Sequence, residues 1–304
     1  ALIEYNVVSA YASKTPIEAR WDSDVKQILE DELSKERENP LFYYALGKGY
    51  YSLFWIEKSW IEKIFPIEDN DNWVGFMVGF HIYHNTVTQV FEYFCNTGQY
   101  DRFFANRDMF DSVMQKMVIQ YMCVAYHFEK INFDLDSSLL VSVVKGRNAL
   151  DYENIIQFFN INDKHISVRK IKDLWRFMYD INKDLDCDVA KYFIGESYRW
   201  LGFFDEIDDE IKEWMLLSVQ NLQPLAASQV IKRLNSFSKK SPTQVGELLL
   251  ALVLAEPKIP IYSELDKIVE ELFELGNGEV AKHIANECLR KGYFGLREIV
   301  RRYD

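Results

Sequence analysis

The stretch Ala190–Trp214, AKYFIGESYRWLGFFDEIDDEIKEW, sets the tightest limit on what this chain can fold into. Tyr192, Phe193, Tyr198 and Leu201 recur at helical spacing before Gly202, and Ile207, Ile211 and Trp214 do so after it. Polar residues lie between the apolar ones, so the stretch reads as two helices joined by a tight turn at Gly202, each with one face to bury. A single helical pair cannot bury that face alone; it needs another pair stacked on it. The stretch therefore predicts a stack of helices.

Composition widens this to the whole chain. With 304 residues, 48% of them apolar, there is material for a sizeable core in two helical domains or one elongated array. Thirteen Gly and seven Pro are too few to punctuate a many-stranded sandwich or barrel. Seven Trp, 18 Tyr and 21 Phe suit helix–helix packing or a surface that grips a partner. A net charge of -12 argues against nucleic acid as the main partner, because neutralising phosphates needs a basic face. Cys95, Cys123, Cys187 and Cys288 are scattered without a CxxC pair, as in a reduced, cytoplasmic protein. No apolar run is long enough to span a membrane, and no signal peptide is visible. The chain opens ALIEYNVV without Met, which reads as a piece of a larger protein.

Taken in order, residues 1–21 are a weakly helical lead-in, and Asp22 or Ser23 caps a helix through about Glu38. Pro40 suits the first turn of an aromatic helix over Leu41–Ile64, in which Gly47 and Gly49 mark close packing or a bend. Asp71 is read as the cap of a helix over Trp73–Tyr83, Asn85 or Thr86 as that of Val87–Phe94, and Asp108 as that of a long helix to about Phe128. Leu139–Val144 is β-branched, but its surroundings favour a helix. Asn160–His165 is a polar break, dividing an irregular helical half (1–163) from a more repetitive one (164–304). Helices then follow at about 167–182, 188–202, 205–221, 227–238, 243–255, 262–275, 278–291 and 294–302, joined by short connections as antiparallel neighbours are.

Gly195, Tyr198, Gly202 and Phe204 follow the spacing G-x2-Y-x3-G-x-[FY], which resembles the first helix and turn of a tetratricopeptide unit. Leu46-Gly47-x2-Tyr50 matches its first half, and Ala285, Gly292 and Phe294 its second. Ile207 and Trp214 stand where that family has small residues, Pro224 falls late, and the copies keep no fixed period in sequence. The expected fold is all-α: a degenerate tetratricopeptide-like α-solenoid of antiparallel helix pairs. A second resemblance lies at Trp60–Phe80, where Trp60 is followed by IFPIEDNDNW and Trp73-Val74-Gly75-Phe76-Met77. This is similar to the C-terminal helical regions of large bacterial antiphage defence proteins, the STAND-type NTPases and sirtuin-like effectors. It implies a sensor or scaffold segment, and its residues look like packing.

Candidate chemistry fails at defined positions. His81 and His84 share a helix face, but no third ligand sits at i+4. Asp180-x-Asn182-x-Asp184 begins like a calcium loop, yet Leu185 and Lys191 replace the turn Gly and the bidentate Glu. Asp69-Asn70-Asp71-Asn72 fails likewise. Gly276-Asn277-Gly278 follows a helix, not a strand, so it reads as a helix stop and restart. Gly47-Lys48-Gly49 is no phosphate loop, and Gly195-x-Ser197 lacks the second Gly of a nucleophile elbow. No catalytic residue, cofactor or metal site is expected, and the chain is read as no enzyme.

The expected function is protein recognition or scaffolding, with Tyr, Trp and Phe anchors among arginines on a concave face. The one local charge reversal supplies the candidate contact residues: Arg290, Tyr293, Phe294, Arg297, Arg301 and Arg302, with Lys291 beside them. An acidic protein, a phage protein or another subunit is the partner these residues suit. A helical enzyme assembled only in three dimensions and an oligomerisation scaffold stay open as alternatives.

Overall fold

The computed structural model describes residues 2–16, 19–35, 38–83, 88–127, 134–161, 166–223, 226–255 and 263–303. Among them are 18 α-helices and no strand. Two compact units divide the chain, Ala1–Ala125 and Tyr126–Asp304. The boundary read at 163/164, His84, the Asn85 or Thr86 cap and Pro224 lie outside the described residues.

The first unit holds α1 (Leu2–Ala12), α2 (Ser23–Leu33), α3 (Pro40–Lys48), α4 (Tyr50–Glu62), α5 (Asn70–Tyr83), α6 (Thr88–Asn96), α7 (Gln99–Ala105) and most of α8 (Ser112–His127). Asp22 caps α2 by accepting from the amides of Asp24 and Val25, and Asn39 caps α3 with Pro40 in the first turn. Two expected caps move. Asp69, not Asp71, accepts from the Asn72 amide at 2.8 Å, and Asp111, not Asp108, accepts from the Met114 amide at 2.8 Å. In each case several carboxylates lie within one turn, and the one three residues ahead of the amide takes the bond.

Helices α3 and α5 meet backbone to backbone. A Cβ at Gly75 would overlap the carbonyl of Pro40, one at Gly79 that of Tyr44, and one at Gly47 that of Phe76. Small residues four apart on α5 thus let two helices approach to where Cα–H groups touch carbonyls. Around this seam Tyr50 stacks edge-on against Phe76, Phe80 and Phe94, with ring centroids 5.4–5.8 Å apart. The helix expected over Leu41–Ile64 is broken twice, at Gly49 and again at Glu57, whose φ/ψ of -155°/98° is extended. Neither Pro nor Gly causes the second break; tertiary contacts hold it. Arg20 donates to the Trp55 carbonyl freed there (2.6 Å) and lies 3.9 Å from the Trp55 ring centroid. Glu57 accepts from the Trp21 indole (2.8 Å) and from Lys26 (2.9 Å).

The second unit runs through α9 (Ser138–Gly146), α10 (Ala149–Ile161), α11 (Val168–Asn182), α12 (Asp188–Glu196), α13 (Asp209–Gln220), α14 (Ala227–Asn235), α15 (Pro242–Ala255), α16 (Ser263–Glu274), α17 (Gly278–Arg290) and α18 (Arg297–Tyr303). Leu139–Val144 is helical, as its surroundings predict. The helix expected over 188–202 gives way at Ser197 to a 3-10 segment, Ser197–Phe203. Gly202 lies inside that segment under the Arg233 guanidinium, so it does not make a turn of its own. The 3-10 winding turns Trp200 inward, fully buried and about 6 Å from Phe159, Trp175 and Phe193. Gly195 backs onto the Asn221 carbonyl, which a side chain would overlap.

In this unit α13 lies on α15, α15 on α17 and α14 on α16, and adjacent helices pack as well, α12 on α13 and α16 on α17. Several side-chain bonds of this unit fall at separations of 31 to 36 residues, four of them at 34. Those four run from Arg176 to Glu210, from Tyr179 to Glu213, from the Ile207 amide to Ser241 Oγ, and from Thr243 to Asn277. Trp214 is 2% exposed and sits 5.0 Å from Trp175, a packing residue between neighbouring helices.

Candidate partner-binding surface

The C-terminal basic residues gather on α17, α18 and the turn between them. Gly292 takes φ +84°, the left-handed conformation that a helix stop favours. The Tyr293 hydroxyl donates to Asp266 at 2.6 Å, and burial and that carboxylate raise its pKa. Leu296 and Ile299 are buried and anchor α18 beneath the exposed residues.

Most of the positive charge is answered locally. Arg290 pairs with Glu287 (2.8 Å), Arg301 with Glu298 (2.8 Å) and Arg302 with Glu270 (2.6 Å). Lys291 donates to the carbonyls of Val253 and Leu254 at the end of α15. Arg297 differs: it has no carboxylate partner among the described residues, and its guanidinium lies 4.5 Å from the centroid of the Phe294 ring, which is 56% exposed. A guanidinium over an exposed ring presents an apolar plate and a charge together. Of the six candidates, then, Phe294 and Arg297 are free to meet a partner, Arg290, Arg301 and Arg302 form an exposed rim, and Tyr293 is committed to Asp266.

The Trp anchors expected on a surface are mostly core. Trp73, Trp175 and Trp200 are fully buried, Trp214 and Trp60 nearly so, and Trp55 is the most exposed, with Arg20 already lying over it. Large rings fill the gaps between irregular helices more cheaply than they cover a wet face.

The remaining chemical candidates resolve into structure. Asn182 ends α11 fully buried and donates to the Met178 carbonyl (2.7 Å) and the Tyr152 hydroxyl (3.2 Å), so it is turned away from any calcium loop. Asn277 opens α17 after Gly276, which has φ +79°: a helix stop and restart. Ser197 is buried and donates to the Ile194 carbonyl, 2.8 Å away. Burial pushes the thiols of Cys95 and Cys288 up to about 12 and raises that of Cys123, which keeps them protonated at neutral pH. Among the described residues no group of three or more His, Cys, Asp or Glu is placed to hold a metal, and no helix is long and apolar enough to cross a membrane.

One feature was invisible in sequence. A half-open cavity of about 610 Å³ lies in the first unit between α1, α2 and α3, built from residues up to 50 positions apart. No family model, curated protein or solved structure matches this chain.

Proposed function

We propose that this chain is a protein-recognition scaffold, a drifted tetratricopeptide-like solenoid of antiparallel helix pairs in its second unit. In this reading it is the sensor region of a larger cytoplasmic bacterial defence protein. Its partner is an acidic protein surface, a phage protein or another subunit, met by Phe294 and Arg297 with Arg290, Arg301 and Arg302 at the rim. The observation that carries the reading is the run of inter-helix bonds at separations of 31 to 36 residues, a spacing that fits stacked helical pairs. The exposed Phe294–Arg297 plate supports the contact face, because Arg and aromatic residues dominate binding energy where they are exposed together. The defence setting rests on the Trp60–Phe80 resemblance alone.

Purified phage structural proteins, each tested for capture by this chain, supply the measurement. The double variant Arg297→Glu with Arg301→Glu is expected to weaken capture by at least about tenfold, with the melting temperature unchanged. Capture that survives the double charge reversal removes this face from the reading.

A further inference from the structure

The cavity of the first unit points to a ligand of a different kind from a protein partner. Its walls are Leu2 of α1, Ile28 and Leu29 of α2, and Phe42 and Ala45 of α3, and its volume is about 610 Å³. That lies within the range of about 300–1,000 Å³ typical of small-molecule sites. The walls are already in place without an occupant, since Ile3 packs into the space beside Gly49 and Leu29 is 6% exposed. Phe42, Tyr44, Ala45, Leu46 and Lys48 line it from α3, so it is a slot beside that helix.

The polar groups around the slot are few and unequal. Glu32 is turned to Lys35 (2.5 Å) and to the Asn39 side-chain amide (2.6 Å), beside the start of α3. Glu4 is engaged within the protein. Lys48, at the other end of α3, has no carboxylate partner among the described residues. Its ammonium lies 4.4 Å from the centroid of the Tyr83 ring, and the Tyr83 hydroxyl is 3.2 Å from that of Tyr44, a second residue of the slot. The slot is thus lined by one cation without a carboxylate partner, Lys48, by the Tyr44 phenol, and by two carboxylates, Glu4 and Glu32, that are engaged within the protein.

We propose that this slot binds a free single-chain anionic amphiphile, with the apolar chain between α1, α2 and α3 and the anionic head at Lys48 and Tyr44. A cationic head is disfavoured by Lys48, and an uncharged one leaves the ammonium without a counter-ion. Chain length then sets affinity through apolar area removed from water, and the head sets orientation.

The test uses the whole chain and a homologous series of octanoate, decanoate and laurate, read by isothermal titration. Affinity is expected to rise about tenfold for each pair of methylenes added. Lys48→Glu is expected to weaken laurate binding by about tenfold. Ala45→Trp, which fills the slot from an exposed position, is expected to abolish binding while leaving the circular dichroism spectrum unchanged. Dodecyltrimethylammonium binding as tightly as laurate overturns the assignment of the head. Failure of laurate to bind the folded wild-type chain overturns the site. Co-sedimentation with phosphatidylglycerol vesicles in the absence of laurate binding assigns the chemistry to a bilayer surface and overturns it equally.

Discussion

The two units bury their helices by different means. In the first, glycines remove side chains so that α3 and α5 touch through their backbones, and a nest of aromatic rings closes around the seam. In the second, Gly195 backs onto the Asn221 carbonyl in the same way, but ion pairs, hydroxyls and tryptophans also join α11 to α13 and the turn before α13 to that before α15. The first arrangement has no tolerance for added atoms, because what a new Cβ meets is a carbonyl that cannot swing aside. The second tolerates change at its exposed bonds and resists it at its buried rings. Two chemistries of helix packing therefore sit in one chain, and each should fail in its own way.

The largest effect is expected from Trp214→Ala. Truncating a buried Trp in contact with Trp175 and Tyr179 should cost about 3–5 kcal/mol. Hydrogen exchange should rise across α11, α13 and α15, with α3 and α5 keeping their protection. Equal loss in both units would mean that they unfold as one, and the contrast between them would be structural only.

Next in size is Gly79→Ala, a change that removes nothing. The added methyl overlaps the Tyr44 carbonyl, so α3 and α5 must part, at about 1–3 kcal/mol or more. Urea denaturation should show a lower midpoint, with exchange rising first in α3 and α5. A neutral or stabilising result, as an exposed helical Gly→Ala gives, would show that the seam is looser than drawn.

Smallest is the response to acid, which asks whether charge matters alike in both units. Glu57 in the first unit is held below its ordinary value of 4.5 chiefly by the hydrogen bond from Lys26, and Glu210 in the second chiefly by Arg176. A carboxylate with a depressed pKa in the folded state contributes stability above its unfolded value, and that contribution is lost as pH falls through the folded value. Thermal melts should therefore drop as pH is lowered below about 4.5, and Glu57→Gln and Glu210→Gln should each flatten part of the drop. The Glu57 variant is expected to flatten more, because Glu57 also holds the α4 break through Trp21. The reverse order would place the acid-sensitive contacts in the second unit.

What the sequence discloses divides along the same line. In the second unit α11, α14, α16 and α17 alternate strongly between polar and apolar positions at helical spacing, and the helix read over 278–291 is α17, Gly278–Arg290. In the first unit α1, α4 and α5 are apolar nearly all round, so spacing says less about which face is buried. The break at Glu57 has no local signal, because Trp21, Lys26 and Arg20 make it from a distance. The basic C-terminal residues are legible as a cluster. Their pairing is only partly so: Glu287 and Glu298 lie one turn from Arg290 and Arg301, whereas Glu270 reaches Arg302 only through folding. The slot could not be read at all, since its three walls become neighbours only when the helices pack.

The backbone seam at Gly75 and Gly79 acts as a ruler for side-chain size. Any residue with a Cβ at either position would push a carbonyl of α3 away, so random mutagenesis selected for folding should return glycine at both and allow many residues at the exposed Gly146.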